Sequence, residues 1–106
     1  MPTHLAHAVF FSLHDPSPEN CQRLMDGCHE HLSGHPGTVS FGVGTRCPDL
    51  TREVNDAGFD VSLHVVFDSR EAHDVYQPHE RHLRFIAENQ ELWSGVRIFD
   101  SNLDVR

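Results

Sequence analysis

Apolar positions along the chain alternate between a period of two and the spacing of an amphipathic helix, and their order predicts strand, helix, strand, strand, helix, strand. Leu5 to Leu13 is rich in Val and Phe and ends at Asp15-Pro16, as a first strand does. Its alternation sets Leu5, His7, Val9, Phe11 and Leu13 on one face and Ala6, Ala8, Phe10 and Ser12 on the other. A helix follows, with Ser17 as N-cap, Pro18 at the first helical position and Glu19 in the first turn. Cys21, Leu24, Met25, Cys28 and Leu32 form its apolar stripe, and Gly34 with Pro36-Gly37 stops it.

Thr38 to Thr45 sets Val39, Phe41 and Val43 against Ser40, Gly42 and Gly44 and predicts strand 2. A polar connection spans Cys47 to Gly58. Phe59, Val61, Leu63, Val65 and Phe67 then share one face of a predicted strand 3, Phe59 to Phe67. Asp68 or Ser69 caps the next helix, with Glu71 placed as in a capping box and Ala72, Val75 and Tyr76 as apolar face. Pro78 disfavours helical geometry at Gln77, which predicts a break before a second run through His82, Leu83, Ile86 and Leu92. Val96 to Phe99 is the predicted strand 4, with a short tail to Arg106.

This βαββαβ order predicts an α+β, ferredoxin-like domain over residues 1–106, with its core at about 5–100: a four-stranded antiparallel sheet with its helices on one face. The second face, holding Phe10, His64, Val66 and Phe99, is too apolar for solvent. A second copy of the sheet would cover it, so a homodimer through the sheet faces, a dimeric α+β barrel, is expected.

Composition narrows the function classes. A net charge of −8, with no Lys and eight scattered Arg, excludes a phosphate-backbone reader, which needs clustered cations. The longest apolar run, Ala8 to Phe11, is too short for a membrane span, and the N-terminus lacks a signal pattern, so a cytoplasmic setting is expected. Cys21, Cys28 and Cys47 lack CxxC spacing, which argues against a disulfide framework or a cysteine zinc site. Ten histidines raise the question of metal, yet only His79 and His82 stand at a helical i, i+3 spacing and nothing completes their site, so neither metal nor cofactor is expected. His14, His35 and His73 read as surface or loop residues.

The sequence resembles the stress-responsive α/β-barrel (Dabb) family, whose members are dimeric ferredoxin-like barrels. The resemblance rests on His7-Ala8-Val9-Phe10-Phe11, Pro36-Gly37, Phe59-Asp60, Phe67-Asp68-Ser69 with Glu71-Ala72, and above all Tyr76-Gln77-Pro78-His79-Glu80-Arg81-His82. The family includes a plant polyketide cyclase and plant stress proteins without a settled catalytic role. What the resemblance implies is that Tyr76 and His82 match the cyclase's tyrosine and catalytic histidine, and His7 a histidine of its first strand. Val61 stands where that cyclase has a pocket histidine, and the motif's His-Pro order is rearranged to Pro78-His79.

His82 is therefore the expected general acid or base, since imidazole titrates near neutrality. Tyr76 is expected to polarise a carbonyl oxygen through its hydroxyl, while His7, His79 and Val61 are the expected substrate contacts. The competing readings make His82 a structural histidine tying the kinked helix to the sheet, and Tyr76 and His7 core residues. Three functions follow: a cofactor-free cyclase, lyase or isomerase acting on a small carbonyl or polyketide-like compound; a non-catalytic barrel that binds a hydrophobic metabolite or serves a structural stress role; and a haem or oxygenase role such as related barrels host.

Overall fold

The computed structural model describes residues 3–106, so Met1 and Pro2, at the start of the predicted domain, lie outside the described residues. Elements run β1 (Thr3–Leu13), α1 (Pro18–Leu32), β2 (Thr38–Thr45), β3 (Val61–Phe67), α2 (Arg70–Tyr76), α3 (Glu80–Asn89), a 3-10 turn (Gln90–Leu92) and β4 (Trp93–Asp104). All neighbouring strands are antiparallel, in the order β2-β3-β1-β4, which is the ferredoxin-like sheet.

Local chemistry sets the helices as predicted. Ser17 Oγ accepts the Asn20 N–H at 3.2 Å, and Ser69, not Asp68, caps α2 by accepting the Ala72 N–H at 3.1 Å. Proline splits the last helical run into α2 and α3, and His79 Nδ1 starts the second piece by accepting the Arg81 N–H. Leu5, Val9, Phe11 and Leu13 of β1 are buried with Cys21, Leu24, Cys28 and Leu32 of the α1 stripe, all four odd-numbered β3 residues, Tyr76 and Phe85, and Met25 packs against them partly buried. Val75 and Leu83, expected on the apolar faces of α2 and α3, are exposed. Where α1 crosses α3, a Cβ on Gly27 would lie 2.8 Å from the Asn89 amide nitrogen, so only glycine allows that approach.

Two predicted boundaries and one predicted strand face are corrected. β4 is twelve residues long and pairs with β1 along its whole length, so the expected tail is mostly strand. Phe59 lies before β3, its ring 5.0 Å from that of Phe10 on the opposite face, so it does not share a face with Val61. Asp60 interrupts the alternation: its amide donates to Phe11 O at 2.8 Å and its carboxylate accepts the Leu13 N–H at 2.8 Å. In β2 the register shifts between Thr38 and Ser40 and leaves Val39 exposed.

The face turned away from the helices carries Phe10, with Phe59, His64 and Phe99 around it at ring separations of 5.0–5.8 Å. Phe99 is 53% exposed there. No helix among the described residues is long and apolar enough to cross a membrane.

Candidate functional site

Between the helical layer and the β1–β4 side of the sheet lies a cavity of about 190 Å³. Its floor is His7, Val9 and Phe11 of β1; Tyr76, His82 and Phe85 form much of its roof. Val96 and Ile98 of the edge strand β4, paired with Phe11 and Val9, stand at its rim on the helix-facing side of the sheet and are partly exposed. The wall is apolar apart from His7, Tyr76, Gln77 and His82.

The helix break builds this arrangement. Tyr76 ends α2 and His82 lies in the first turn of α3, so residues six apart in sequence bring their rings to 4.8 Å. His7 reaches them from β1 at 5.9 Å from the Tyr76 ring. The Tyr76 hydroxyl and His82 Nδ1 are both buried without a hydrogen-bonding protein partner. Unpartnered buried polar groups are rare because each costs about 1–3 kcal/mol, and two of them belong to rings that pack together on this one cavity.

Burial also governs protonation. It pushes the Tyr76 phenol well above its usual range, aided by the neighbouring Cys28, so the hydroxyl stays a neutral donor. Burial pulls His82 below the usual imidazole value, with His7 and His35 adding repulsion and the Gln77 backbone opposing them. A neutral imidazole beside a neutral phenol is an arrangement that accepts a proton at one group and donates a hydrogen bond from the other.

The register separates the remaining expected residues. His7 lies between Val65 of β3 and Asp100 of β4, and its Nδ1 stands 2.5 Å from Asp100 Oδ1. Val61 pairs with Phe11 and Thr45 instead, fully buried, and β3 contributes Leu63 rather than Val61 to the cavity. His79 does not line the cavity either; besides capping α3 it packs its ring 4.7 Å from that of His35. Val61 and His79 thus lie outside the lining of this cavity, the one through strand register and the other through its capping position.

Two histidines expected at the surface belong to this region. His35 is buried, its Nε2 2.7 Å from His31 O and its ring 4.9 Å from Tyr76. His73 packs its ring 5.3 Å from that of His7. Neither they nor Asp100 carry a local sequence signal, because it is the packing of the α1–β2 turn, α2 and β4 around one another and β1 that brings them in. His31 is also buried, and its Nε2 lies 3.1 Å from Glu88 Oε1 across the α1–α3 crossing.

The family described as the stress responsive A/B barrel domain (Dabb) matches residues 5–103. None of the curated proteins matches the chain by sequence. Among solved structures, a dimeric ferredoxin-like protein of unknown function from Thermobifida fusca is 13% identical, with a TM-score of 0.79 over 97% of this chain and 93% of that one. A Dabb family protein from Mesorhizobium loti is 16% identical, with a TM-score of 0.78 over 98% and 99%. The hydroxynitrile lyase of Passiflora edulis is 18% identical, with a TM-score of 0.77 over 98% and 96%. At these identities the likeness is one of fold.

Proposed function

The chain belongs to the stress responsive A/B barrel domain family, and from that premise we propose that it is an acid–base enzyme of cyclase or lyase type acting on a small apolar carbonyl compound. The observation that carries this reading is the meeting of the unpartnered Tyr76 hydroxyl and His82 Nδ1 at an otherwise apolar cavity. Such a pair is matched to a ligand that brings one polar group into an apolar pocket.

His82 takes a proton alpha to the substrate carbonyl, and Tyr76 donates a hydrogen bond to the oxygen on which charge develops. The enolate then attacks a second carbonyl to close a ring, and the imidazolium returns its proton to the new alkoxide. Run as a lyase, the same base takes the proton of a hydroxyl adduct, the carbon–carbon bond breaks to give a carbonyl, and the leaving carbanion is protonated by the imidazolium. The lyase direction is supported by the shared fold of the Passiflora hydroxynitrile lyase. A cavity of about 190 Å³ suits a single aromatic ring with a short substituent, since an apolar cavity of about 150 Å³ holds benzene.

A second reading, a barrel that binds such a compound without turning it over, is favoured by the apolar lining of Val9, Phe11, Leu63, Phe85 and Trp93. Exchange of the alpha protons of small aryl ketones such as acetophenone for deuterium, followed by proton NMR, separates the two. Wild-type protein should exchange them above the buffer rate, His82→Ala should lose at least about 100-fold, and Tyr76→Phe a smaller factor. Exchange at wild-type rate in both variants would sink the catalytic assignment. Saturable binding without exchange would leave the second reading standing.

The reading includes a homodimer through the open sheet face, supported by the aromatic cluster around Phe10 and by the dimeric state of the Thermobifida protein. It treats residues 1–106 as one domain, with a cytoplasmic setting supported by three free cysteines.

A further inference from the structure

Beside the cavity, His7 of its floor, His73 and Asp100 each bring one potential ligand atom within 4.8 Å of the other two. They come from β1, α2 and β4, so tertiary structure alone assembles them. We propose that these three side chains form a binding site for one divalent transition-metal ion of the zinc class. The site shares His7 with the catalytic reading but does not rest on it.

The donor set fits that class. Two imidazoles and one carboxylate are what zinc and its first-row neighbours select, whereas magnesium and calcium prefer oxygen alone. Ligand atoms held tetrahedrally at about 2.0–2.2 Å from one ion stand about 3.4 Å apart, so side-chain rotations that move the three atoms by about an ångström bring them from within 4.8 Å to that spacing. The hydrogen bonds around His73 favour binding further. Its Nδ1 stands 3.0 Å from Asp74 Oδ1 and its Nε2 3.3 Å from the Gln77 amide nitrogen. With Nδ1–H donating to the carboxylate, Nε2 keeps its lone pair for the amide or for an ion in its place. That is the carboxylate-oriented form in which a histidine ligates, and the Gln77 amide turns aside when the ion takes its place.

His7 and Asp100 would respond to the ion as well. The His7 ring nitrogen and the Asp100 carboxylate, 2.5 Å apart, are joined by a hydrogen bond that a cation would replace. Because the Asp100 side chain is 43% exposed, water or a small ligand can fill the remaining coordination positions from that side. A rival cluster, Glu30, His31 and Glu88, lies at the α1–α3 crossing, where both carboxylates are exposed.

Full-length protein stripped with EDTA and titrated with Zn²⁺ by calorimetry, and with Co²⁺ by visible absorption, tests the site without recourse to activity. One ion per chain is expected, with affinity reduced at least about 10-fold in both His73→Gln and Asp100→Asn and unchanged in Glu88→Gln. No uptake by wild type, uptake indifferent to both substitutions, or uptake lost only in Glu88→Gln would overturn the proposal. Asp100→Asn alters a partly exposed side chain, so it serves as the second variant should His73→Gln fail to fold.

Discussion

Tyr76 carries a phenol into the core and gives its hydroxyl no protein partner. Removing that oxygen removes a desolvation cost, so Tyr76→Phe should unfold in urea at the same midpoint or a higher one, by up to about 1–3 kcal/mol, even as it loses catalysis. A clear destabilisation would instead mark the hydroxyl as a structural group. His35 and His82 bear on pH in a definite direction. Burial leads the causes that hold both below the ordinary imidazole value of 6.5, so below that value the unfolded chain binds more protons than the folded one. Stability is therefore full above about pH 6.5 and falls as pH drops toward the folded values. Urea midpoints measured from about pH 8 down to 5 should decline, and the decline should be shallower in His35→Asn; an equal slope in that variant would remove His35 from the account. Sequence reasoning reached Tyr76, His82 and His7 through a motif and an alternating strand. It missed His35, His73 and Asp100 because what a polar residue meets depends on which distant elements fold beside it, and nothing in the flanking residues records that.

Among the elements, the turn from α1 into β2 rests on two glycines with positive φ, Gly34 at 74° and Gly37 at 83°. They are unequal in their surroundings. A Cβ on Gly34 meets nothing within 4 Å, whereas one on Gly37 would collide with the Cβ of Ala72 on α2. Gly34→Ala should therefore cost only the left-handed backbone penalty, about 1–2 kcal/mol, and Gly37→Ala clearly more, as read from denaturant midpoints. Equal losses would mean that α2 yields freely. β1, α1 and the Pro78 break were legible because local chemistry determines them. β4 was legible only in its apolar middle. Asp100, Ser101, Asn102 and Asp104 are poor strand formers, and they are strand because β1 offers a full-length partner. The expected place of Phe59 failed for a related reason: Asp60 spends its hydrogen bonds on the end of β1, and no alternation survives that diversion.

For the molecule as a whole, one face of the sheet remains without a helical cover, and Phe10, Phe59 and Phe99 collect on it. If a second copy is the cover, Phe99→Arg should halve the mass measured by light scattering at micromolar concentration while the far-ultraviolet circular dichroism is kept. An undiminished mass would move the interface elsewhere. The crossing at Gly27 bears on a different property, the traffic of ligand. With Asn89 seated where any larger residue would stand, α1 packs closely on α3 one turn beyond Phe85 of the roof, a contact that opposes lifting of α3. Entry and release are then left to the β4 rim, where Val96 and Ile98 stand open. Residence time in such a cavity would be governed by the edge strand and by whatever rests on it, and hardly at all by the helices above.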